Sequence, residues 1–378
     1  MNKIIELASL VEKPRLCVMG LMSGTSMDGL DICITDIAIT DAGLDYTVID
    51  FQTVDYPPEL TARINQALKG NTDQICELNY ELGRWYAAAI GENIATDVLG
   101  RVDLIGSHGQ TLHHVSERST LQIGDPQFIS RLTGKPVVFD FRAADIIAGG
   151  TGAPLIPRLD EMLFSTTGHG RIVLNIGGVA NVSLVPPADR GAVTGFDTGP
   201  GMALLDEVYR VTGGAGFDHN GELAAKGESQ PHLVREWMND DYIKSQPPKS
   251  TGRDRYGLDW LKEHPELENL SLNDQLATLA QFTAESIHAN CRLFLQAVKV
   301  DYLIVGGGGV HHQVIMAQLQ KNFNDIEVVS SARFGLEPDA KEAFGMAVLA
   351  ALYLKGISGN VPEVTGAEKA VVLGKLAM

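Results

Sequence analysis

The sequence has few cysteines, and their spacing excludes a disulfide framework. The four of them, Cys17, Cys33, Cys76 and Cys291, lie far apart and form no CxxC pair. We therefore expect all four to be reduced residues that pack inside the protein. The ten histidines include two adjacent pairs, and adjacent side chains diverge on a strand or a helix. That spacing argues against a dedicated zinc site.

Positive charge is also scarce, with 30 Lys and Arg against 47 Asp and Glu and a formal net charge of −17. Nucleic acids and anionic membranes require clustered Lys and Arg that replace counterions, so we expect neither as a partner. A local pocket can still bind a small anion. No run approaches the roughly 18 apolar residues that span a bilayer, and the acidic N-terminus lacks a leader-like apolar core. We therefore expect a cytoplasmic protein.

Glycine, in contrast, is abundant. The chain has 378 residues, of which 44% are hydrophobic, and its 40 glycines cluster between apolar runs. That pattern is typical of an α/β protein with many tight turns. The length exceeds the usual size of a single hydrophobic core, so we expect two domains.

Apolar periodicity predicts the main secondary-structure elements. A strand, a turn and a second strand open the chain, and the same pattern recurs after a Gly- and Pro-rich segment at 145–157. The predicted strands are 16–22, 30–39, 102–109, 136–141, 171–185 (a hairpin) and 301–305, and the predicted helices are 74–99, 272–298 and 339–354.

The first glycine-rich turn is SGTSMDGLD, residues 23–31. Its glycines can bring backbone N–H groups close to an anion, and its hydroxyls can donate to phosphate oxygens. It contains no lysine and does not precede a helix, so it is not a Walker-type loop. An ordinary hairpin turn is the alternative interpretation.

Two further glycine-rich turns lie in the second half. NIGGVAN (175–181) and GFDTGPG (195–201) repeat the hairpin pattern and add the carboxylate of Asp197, for which a cap or turn aspartate is the alternative. Four glycines at 306–309 follow a predicted strand and leave room for a flat ring or a ribose. They lack GxGxxG spacing, and a plain strand-to-helix turn is the alternative there.

Together, the order of the three turns is similar to that in the actin, hexokinase and Hsp70 type of fold. More specific strings resemble the anhydro-N-acetylmuramic acid kinase family, and they leave only the first 15 residues outside the resemblance. The strings are GLMSGTSMDGLD (20–31), GSHGQT (106–111), DFRAADIIAGGTGAPLIP (140–157), LNIGGVANVS (174–183), GFDTGPG (195–201), KSTGRDRYG (249–257) and the positions Pro338, Glu342 and Ala343.

The resemblance implies an α/β fold of two duplicated ribonuclease H-like lobes (actin/hexokinase/Hsp70-like) with a central cleft. On that basis we expect lobe I at residues 1–143, completed by the C-terminal segment 346–378, and lobe II at residues 144–345. Each lobe would supply one phosphate hairpin, and lobe II would also supply the glycine turn on the adenosine side.

The resemblance further implies a kinase that uses ATP and Mg²⁺ to open 1,6-anhydro-N-acetylmuramic acid and phosphorylate O6. The product would be N-acetylmuramic acid 6-phosphate, in peptidoglycan recycling. Asp197 matches the catalytic base and Glu342 an assisting carboxylate. The matching nucleotide positions are Gly24, Thr25, Ser26, Met27, Asp28, Gly29, Leu30, Asp31, Gly177, Gly178, Gly306, Gly307, Gly308 and Gly309. The matching sugar positions are Ser107, His108, Gln110, Thr111, Arg142 and Asp145.

Several points stay open at the level of the sequence. Ser23 stands where many relatives in the wider superfamily have an Asp linked to the metal, so the Mg²⁺ ligands are unassigned. Arg142, or else Arg253 or Arg255, is expected to pair with the substrate carboxylate. A homodimer is one oligomeric state among others. A hydroxyl kinase for another small sugar is one alternative function, and a nucleotide-gated, chaperone-type binding protein is another.

Overall fold

The computed structural model describes residues 3–24, 29–40, 43–214, 216–253, 255–295 and 298–378. Its internal contacts divide the chain into two compact units. The first unit comprises residues 1–163 and 340–378, and the second comprises residues 164–339. Two stretches that are distant in sequence therefore build the first unit together.

These borders differ from the expected lobe borders, which lay after residues 143 and 345. In the structure the segment that follows residue 143 is bonded to the C-terminal stretch, because Asn360 and Thr365 both donate to Asp145 at 2.7 Å. The residues between 144 and 163 therefore belong to the first unit.

The helices and strands alternate along the chain, as expected for an α/β protein. Those before residue 165 are α1 (Lys3–Glu12), β1 (Leu16–Met22), β2 (Gly29–Thr40), β3 (Gly43–Asp55), α2 (Pro58–Ala67), α3 (Thr72–Asn93), α4 (Thr96–Arg101), β4 (Leu104–Ser107), β5 (Gln110–Val115), β6 (Ser119–Ile123), α5 (Pro126–Thr133), β7 (Val137–Phe139), α6 (Ala143–Ile147) and α7 (Pro157–Phe164). Those after it are β8 (Gly170–Ile176), β9 (Val179–Val185), β10 (Thr194–Pro200), α8 (Ala203–Val211), α9 (Pro231–Trp237), α10 (Asp241–Lys244), α11 (Leu258–Glu263), α12 (Leu272–Phe294), β11 (Val300–Gly306), α13 (Gln313–Asn322), β12 (Glu327–Ser330), α14 (Lys341–Lys355), α15 (Pro362–Thr365) and β13 (Lys375–Ala377).

The first unit is built on a six-stranded sheet of order β13-β7-β4-β1-β2-β3. β1, β2 and β3 form an antiparallel meander, and β4 and β7 run parallel to β1. β13 closes one edge, antiparallel to β7. Every residue of β1 and β4 is buried, which indicates that both faces of the sheet are covered there.

The second unit contains a five-stranded sheet of order β10-β9-β8-β11-β12. β8, β9 and β10 again form an antiparallel meander, and β11 and β12 run parallel to β8. Both sheets thus place three sequential antiparallel strands beside two parallel ones. This repetition confirms the predicted α/β fold of two duplicated lobes.

Helix α14 packs directly on the first sheet at two glycines. A Cβ atom on Gly20 of β1 would lie 1.8 Å from the carbonyl oxygen of Ala343, and one on Gly106 of β4 would lie 2.2 Å from that of Met346. Only glycine permits such an approach of helix to sheet. The C-terminal stretch is in this way fastened to the strands that precede two of the predicted binding segments.

Most predicted elements are confirmed, with two corrections to the helices and one to the expected burial of the cysteines. The helix predicted at 74–99 divides into α3 and α4, because Ile94 adopts extended backbone and is buried. The predicted helix at 272–298 ends at Phe294. Cys76 is exposed on α3 and does not pack in the core, whereas the other three cysteines are buried, and all four are free. No described helix is long and apolar enough to cross a bilayer.

Candidate active site

Two predicted binding segments adjoin one another in the first unit. Leu21 of β1 pairs with Ser107 of the parallel strand β4, and the N–H of His108 donates to the carbonyl of Leu21 at 3.0 Å. The carboxyl ends of parallel strands lie at the same edge of a sheet, where α/β proteins place their ligands. The predicted phosphate turn after β1 and the predicted sugar segment after β4 are therefore neighbours.

The first hairpin is described on both sides of its turn, while the predicted residues Thr25 to Asp28 lie outside the described part of the chain. A Cβ atom on Gly29 would lie 2.4 Å from a carbonyl oxygen of β3. The Leu30 side chain is buried in the core, and Asp31 accepts a hydrogen bond from Thr53 at 2.6 Å. Gly29 and Leu30 are thus placed to meet a ligand only through backbone atoms.

The predicted sugar segment contains both cavity-lining and internally bonded residues. Ser107 and His108 line a cavity of about 550 Å³ within the first unit. Gln110 is completely buried, and its Nε2 donates to the carbonyl of Gly24 at 3.1 Å. Thr111 accepts from the amide of Gln122 at 3.2 Å. Of the four, Ser107 and His108 are the ones that line this cavity, although both are largely buried.

His108, which is buried, and Arg142, which is half-buried, form a hydrogen-bonded pair. Nδ1 of His108 lies 2.7 Å from the carbonyl oxygen of Gly109 and therefore carries the proton. Nε2 accepts from Nε of Arg142 at 3.1 Å. Burial, and then the charge of Arg142, lower the pKa of His108 to about 3, so the imidazole is neutral. Arg142 also donates to the carbonyl of Gly152 at 2.9 Å.

Asp145 organises the glycine-rich loop after α6. One carboxylate oxygen accepts from the N–H of Gly152 at 2.8 Å, and the other accepts from Asn360 and Thr365. A Cβ atom on Gly150 would lie 2.3 Å from the carboxylate. Both carboxylate oxygens of Asp145 are thus bonded within the protein, and the contact with the sugar that the resemblance implies stays a prediction.

Glu342 lies in the first turn of α14, half-buried, in the first unit. Its charge acts on Arg142: burial lowers the pKa of Arg142 to about 10, and Glu342 raises it in part. The first unit therefore brings together Glu342, the second predicted carboxylate, and Arg142 of the sugar segment. The two residues are 200 positions apart in sequence (342 − 142).

In the second unit, Gly177 and Gly178 form the turn between β8 and β9. Their carbonyl oxygens accept from the N–H groups of Met202 and Ala203 at the start of α8, at 2.8 and 3.0 Å. A Cβ atom on Gly177 would meet nothing closer than 3.8 Å among the described atoms. Neighbouring protein atoms do not require a glycine there, and the space suits a turn that a ligand approaches closely.

The glycines at 306–309 follow β11 and lie against the end of β8. Gly306 pairs with Asn175. Gly307 has φ +77°, and its Cβ atom would lie 2.8 Å from Oδ1 of Asn175. Gly309 closely approaches Ile176, whereas a Cβ atom on Gly308 would meet no described atom within 4 Å. Gly308 is therefore the open position of this turn.

Asp197 lies on β10 beside a β-bulge, with one carboxylate oxygen held in place. Its Oδ2 accepts from Oγ of Ser250 and from the N–H of Thr251, each at 2.9 Å. The N–H of Asp197 donates to the carbonyl of Lys249 at 3.2 Å. Burial raises the pKa of Asp197, and the bonds from Thr251 and Ser250 partly offset that rise. The carboxylate is oriented, half-buried and more basic than usual.

Ser250 and Thr251 are contacts that sequence reasoning missed. In the string KSTGRDRYG only the arginines were predicted to bind a ligand, although Ser and Thr before a glycine readily donate hydrogen bonds. Arg255 donates to Asp240 at 2.6 Å. Arg253 is exposed, and its Nε lies 3.2 Å from the position of a Cβ atom on Gly178. Arg253 is thus the arginine beside the second hairpin turn.

A metal site made wholly of protein ligands is absent from the described residues, where no three or more His, Cys, Asp and Glu come together. Mg²⁺ at phosphate-transfer sites is bound mainly by substrate phosphates and water, with one or two carboxylates.

Comparisons with known proteins agree with the sequence strings. The family model described as anhydro-N-acetylmuramic acid kinase matches residues 16–378. A protein of that name from Synechococcus elongatus is 40% identical over 94% of this chain and 98% of its own length, and one from Bacillus cereus is 36% identical over 95% and 98%. A solved ROK family glucokinase from Streptomyces griseus, in complex with glucose and AMPPNP, is 14% identical over 89% of this chain and 99% of that one, with a TM-score of 0.36.

Proposed function

Because the chain belongs to the anhydro-N-acetylmuramic acid kinase family, we propose that it opens 1,6-anhydro-N-acetylmuramic acid hydrolytically and phosphorylates O6 at the expense of ATP. The products are N-acetylmuramic acid 6-phosphate and ADP, in peptidoglycan recycling. The observation that carries this proposal is Asp197, a half-buried, oriented carboxylate with a raised pKa at the phosphate-type hairpin of the second unit. A reaction that consumes ATP in this way belongs in the cytoplasm, where ATP is supplied.

The substrate dictates what the enzyme must do. In the anhydro sugar, O6 is part of an internal acetal with C1, so no free hydroxyl exists there to accept phosphate. Water must therefore attack C1 as the C1–O6 bond breaks, and the departing O6 must take the γ-phosphoryl group. One C1–O bond and one O6–P bond form, while the C1–O6 bond and the bond from the γ-phosphorus to ADP break.

Asp197 is our candidate for the general base. Its carboxylate accepts a proton from the attacking water and releases that proton after turnover. Ser250 and Thr251 hold Oδ2, which leaves Oδ1 as the oxygen that faces the water. The raised pKa makes the carboxylate a better base than an exposed aspartate.

Glu342 is our candidate for an assisting carboxylate, and its position beside Arg142 supports that role. Arg142 stays our candidate cation for the lactyl carboxylate of the sugar. Ser107 and His108 line the cavity; Oγ of Ser107 is the candidate contact for a sugar hydroxyl, because both ring nitrogens of His108 already bond to Gly109 and Arg142. The volume of about 550 Å³ lies within the range usual for small-molecule sites.

The nucleotide phosphates are proposed to meet the two hairpin turns and Arg253. Backbone amides and a guanidinium stabilise charge on a transferring phosphoryl group without any covalent step. Mg²⁺ that arrives with ATP would neutralise further charge on the phosphates. Gly308, open among its described neighbours, is the candidate contact for the adenosine.

A single assay tests the function. ADP release is measured with and without anhydro-N-acetylmuramic acid, and a brief reaction in oxygen-18 water is analysed by mass before the anomeric hydroxyl exchanges. We expect sugar-dependent ADP release and one labelled oxygen in the phosphorylated product. An unlabelled product would favour the hydroxyl kinase, and ADP release that does not depend on sugar would favour the nucleotide-gated binding protein.

A further inference from the structure

Three polar side chains are buried beneath the first hairpin, and the mechanism uses none of them. Tyr56 follows β3, Tyr86 lies on α3 and Gln110 begins β5. Their exposed fractions are 6%, 0% and 0%. Buried tyrosine hydroxyls and amides require partners, because an unsatisfied polar group in the core is costly. The partners of these three lead to the turn after β1.

The three side chains join two consecutive residues of that turn through a continuous series of hydrogen bonds. Oγ of Ser23 lies 2.9 Å from the hydroxyl of Tyr86, which lies 3.0 Å from the hydroxyl of Tyr56. Tyr56 donates to Oε1 of Gln110 at 3.3 Å. Nε2 of Gln110 donates to the carbonyl of Gly24 at 3.1 Å. The series thus starts at Ser23 and returns to the adjacent residue.

The direction of every bond in the series follows from its end at Gly24. A carbonyl oxygen only accepts, so the nitrogen of Gln110 faces Gly24 and its oxygen faces Tyr56. The hydrogen of Tyr56 is thereby used, so Tyr56 accepts from Tyr86. Tyr86 in turn accepts from Ser23. Burial raises the pKa of Tyr86 to about 12, which keeps its hydroxyl protonated at neutral pH.

We propose that Tyr56, Tyr86 and Gln110 are positioning residues that fix the carbonyl of Gly24 and the hydroxyl of Ser23, and so preorganise the beginning of the first hairpin, at Ser23 and Gly24, for the nucleotide phosphates. The inference rests on the proposed function, in which ATP meets this hairpin. Glycine-rich turns lose much conformational freedom when they bind a ligand, and a buried anchor removes part of that cost before binding. The hydrogen of Ser23 is used in its bond to Tyr86, so this hydroxyl anchors the turn and does not itself donate to a phosphate oxygen.

The packing around Tyr86 supports a dedicated role. A Cβ atom on Gly124 would lie 2.4 Å from the ring of Tyr86, and Gly124 has φ +112°. The ring of Tyr56 packs at 4.7 Å from that of Trp85. Both phenol rings are therefore fixed in orientation by their neighbours, and the hydroxyls have little freedom to find other partners.

Gln110 also links the first hairpin to the sugar segment. Its side chain holds the phosphate hairpin, while its backbone continues the segment that contains Ser107 and His108. The sugar segment and the nucleotide hairpin of the first unit are therefore joined by one buried amide. The two tyrosines belong to the series but not to the sugar segment, so variants at Tyr56 and Tyr86 separate effects on the nucleotide from effects on the sugar.

The test compares Tyr86→Phe and Tyr56→Phe with Tyr46→Phe, a control whose ring packs on Phe344 of the same unit and lies outside the series. Titration calorimetry with MgADP gives the nucleotide Kd, steady-state kinetics gives KM for ATP and for the sugar, and thermal unfolding gives Tm. We expect a roughly three- to tenfold rise in Kd and in KM for ATP in both network variants. We expect an unchanged KM for the sugar, and a nucleotide Kd near that of the wild type in the control.

A double-mutant cycle sharpens the test. If Ser23 acts through Tyr86, the losses of nucleotide affinity in Ser23→Ala and Tyr86→Phe do not add, and the double variant binds about as weakly as either single one. A nucleotide Kd within twofold of the wild type in both tyrosine variants, with only Tm lowered, would overturn the proposal. So would an equal loss in Tyr46→Phe, or a wild-type protein that binds no MgADP.

The same measurements distinguish a failure of the hydrogen-bond series from a failure of the proposed function. A wild-type protein that binds MgADP with the expected dependence on Tyr56 and Tyr86, yet leaves the anhydro sugar unchanged, would retain the network and reject the sugar kinase. A protein that phosphorylates the sugar with an ATP affinity insensitive to both variants would do the reverse.

Discussion

Nε of Arg142 donates to Nε2 of His108 at 3.1 Å in the first unit, so folding places a cation against an imidazole that must stay neutral. The pKa of His108 falls to about 3 in the folded protein, against about 6.5 in an unfolded chain. Between about pH 3 and about pH 6.5, the unfolded state therefore binds a proton that the folded state does not bind. The free energy of unfolding falls as the pH drops below about 6.5.

We predict that His108→Gln reduces this loss at acidic pH. Each pH unit within the window corresponds to about 1.4 kcal/mol from this one group. Urea unfolding at pH 7 and pH 5 measures the difference, with His113→Gln as a control that removes an exposed histidine of the same unit. An unchanged difference between the two pH values in His108→Gln would show that His108 is protonated in the folded state.

Asp197→Asn is expected to lower kcat by roughly 10² to 10⁴, the usual effect of a lost general base. Nucleotide affinity should remain near that of the wild type, since the amide keeps the shape of the side chain. Glu342→Gln should lower kcat by a smaller factor than Asp197→Asn if Glu342 only orients the water or Arg142. Near-normal turnover of Asp197→Asn together with an inactive Glu342→Gln would reverse the two roles.

The pH profile gives an independent check on Asp197. A base acts only when deprotonated, so kcat/KM should fall as the pH drops through its pKa. Because burial raises that pKa, the acidic limb should lie above the ordinary value of about 4. Thr251 donates through its backbone, so the matched variant is Ser250→Ala, which removes one bond to Oδ2 and should move the limb to higher pH. An acidic limb at the same pH in Ser250→Ala would show that Ser250 does not affect the pKa of the base.

Arg253→Gln is expected to lower kcat/KM for ATP about 10- to 100-fold, because Arg253 lies beside the turn of Gly177 and Gly178 and is proposed to contact phosphate. Arg210→Gln, which removes another exposed arginine of the second unit, is the control. A rise in KM for the sugar with unchanged ATP kinetics would instead assign Arg253 to the lactyl carboxylate.

The buried ion pair of Lys341 and Asp160 predicts a stability effect. The two groups lie 2.8 Å apart, and their side chains are 3% and 4% exposed. Lys341→Met leaves the Asp160 carboxylate without its cation, which should cost about 3–5 kcal/mol of unfolding free energy. The double variant with Asp160→Leu should recover most of that loss. Urea unfolding of both variants decides this, and a double variant as unstable as the single one would contradict the prediction.

Local features made much of the fold predictable. Apolar runs and glycine-rich turns repeat in both halves of the sequence, and they foretold both hairpins and the parallel strands β4, β7 and β11. The prediction was poorer for β3, β5, β6, β10, β12 and β13, which it did not identify. Their short or half-exposed strands lack the continuous apolar runs that mark buried ones, and pairing with distant strands decides them.

The residues of the candidate site also fall into those that the sequence predicted and those that it did not. The sequence alone determined the glycine turns and singled out Asp197, which the structure places within β10, because backbone freedom and residue chemistry at those positions are local properties. Only the tertiary structure decided that Gln110 and Asp145 hold loops, that Ser250 and Thr251 orient Asp197, and that two tyrosines reach the first hairpin. Hydrogen-bond partners are set by where distant segments meet, and no local pattern contains that information.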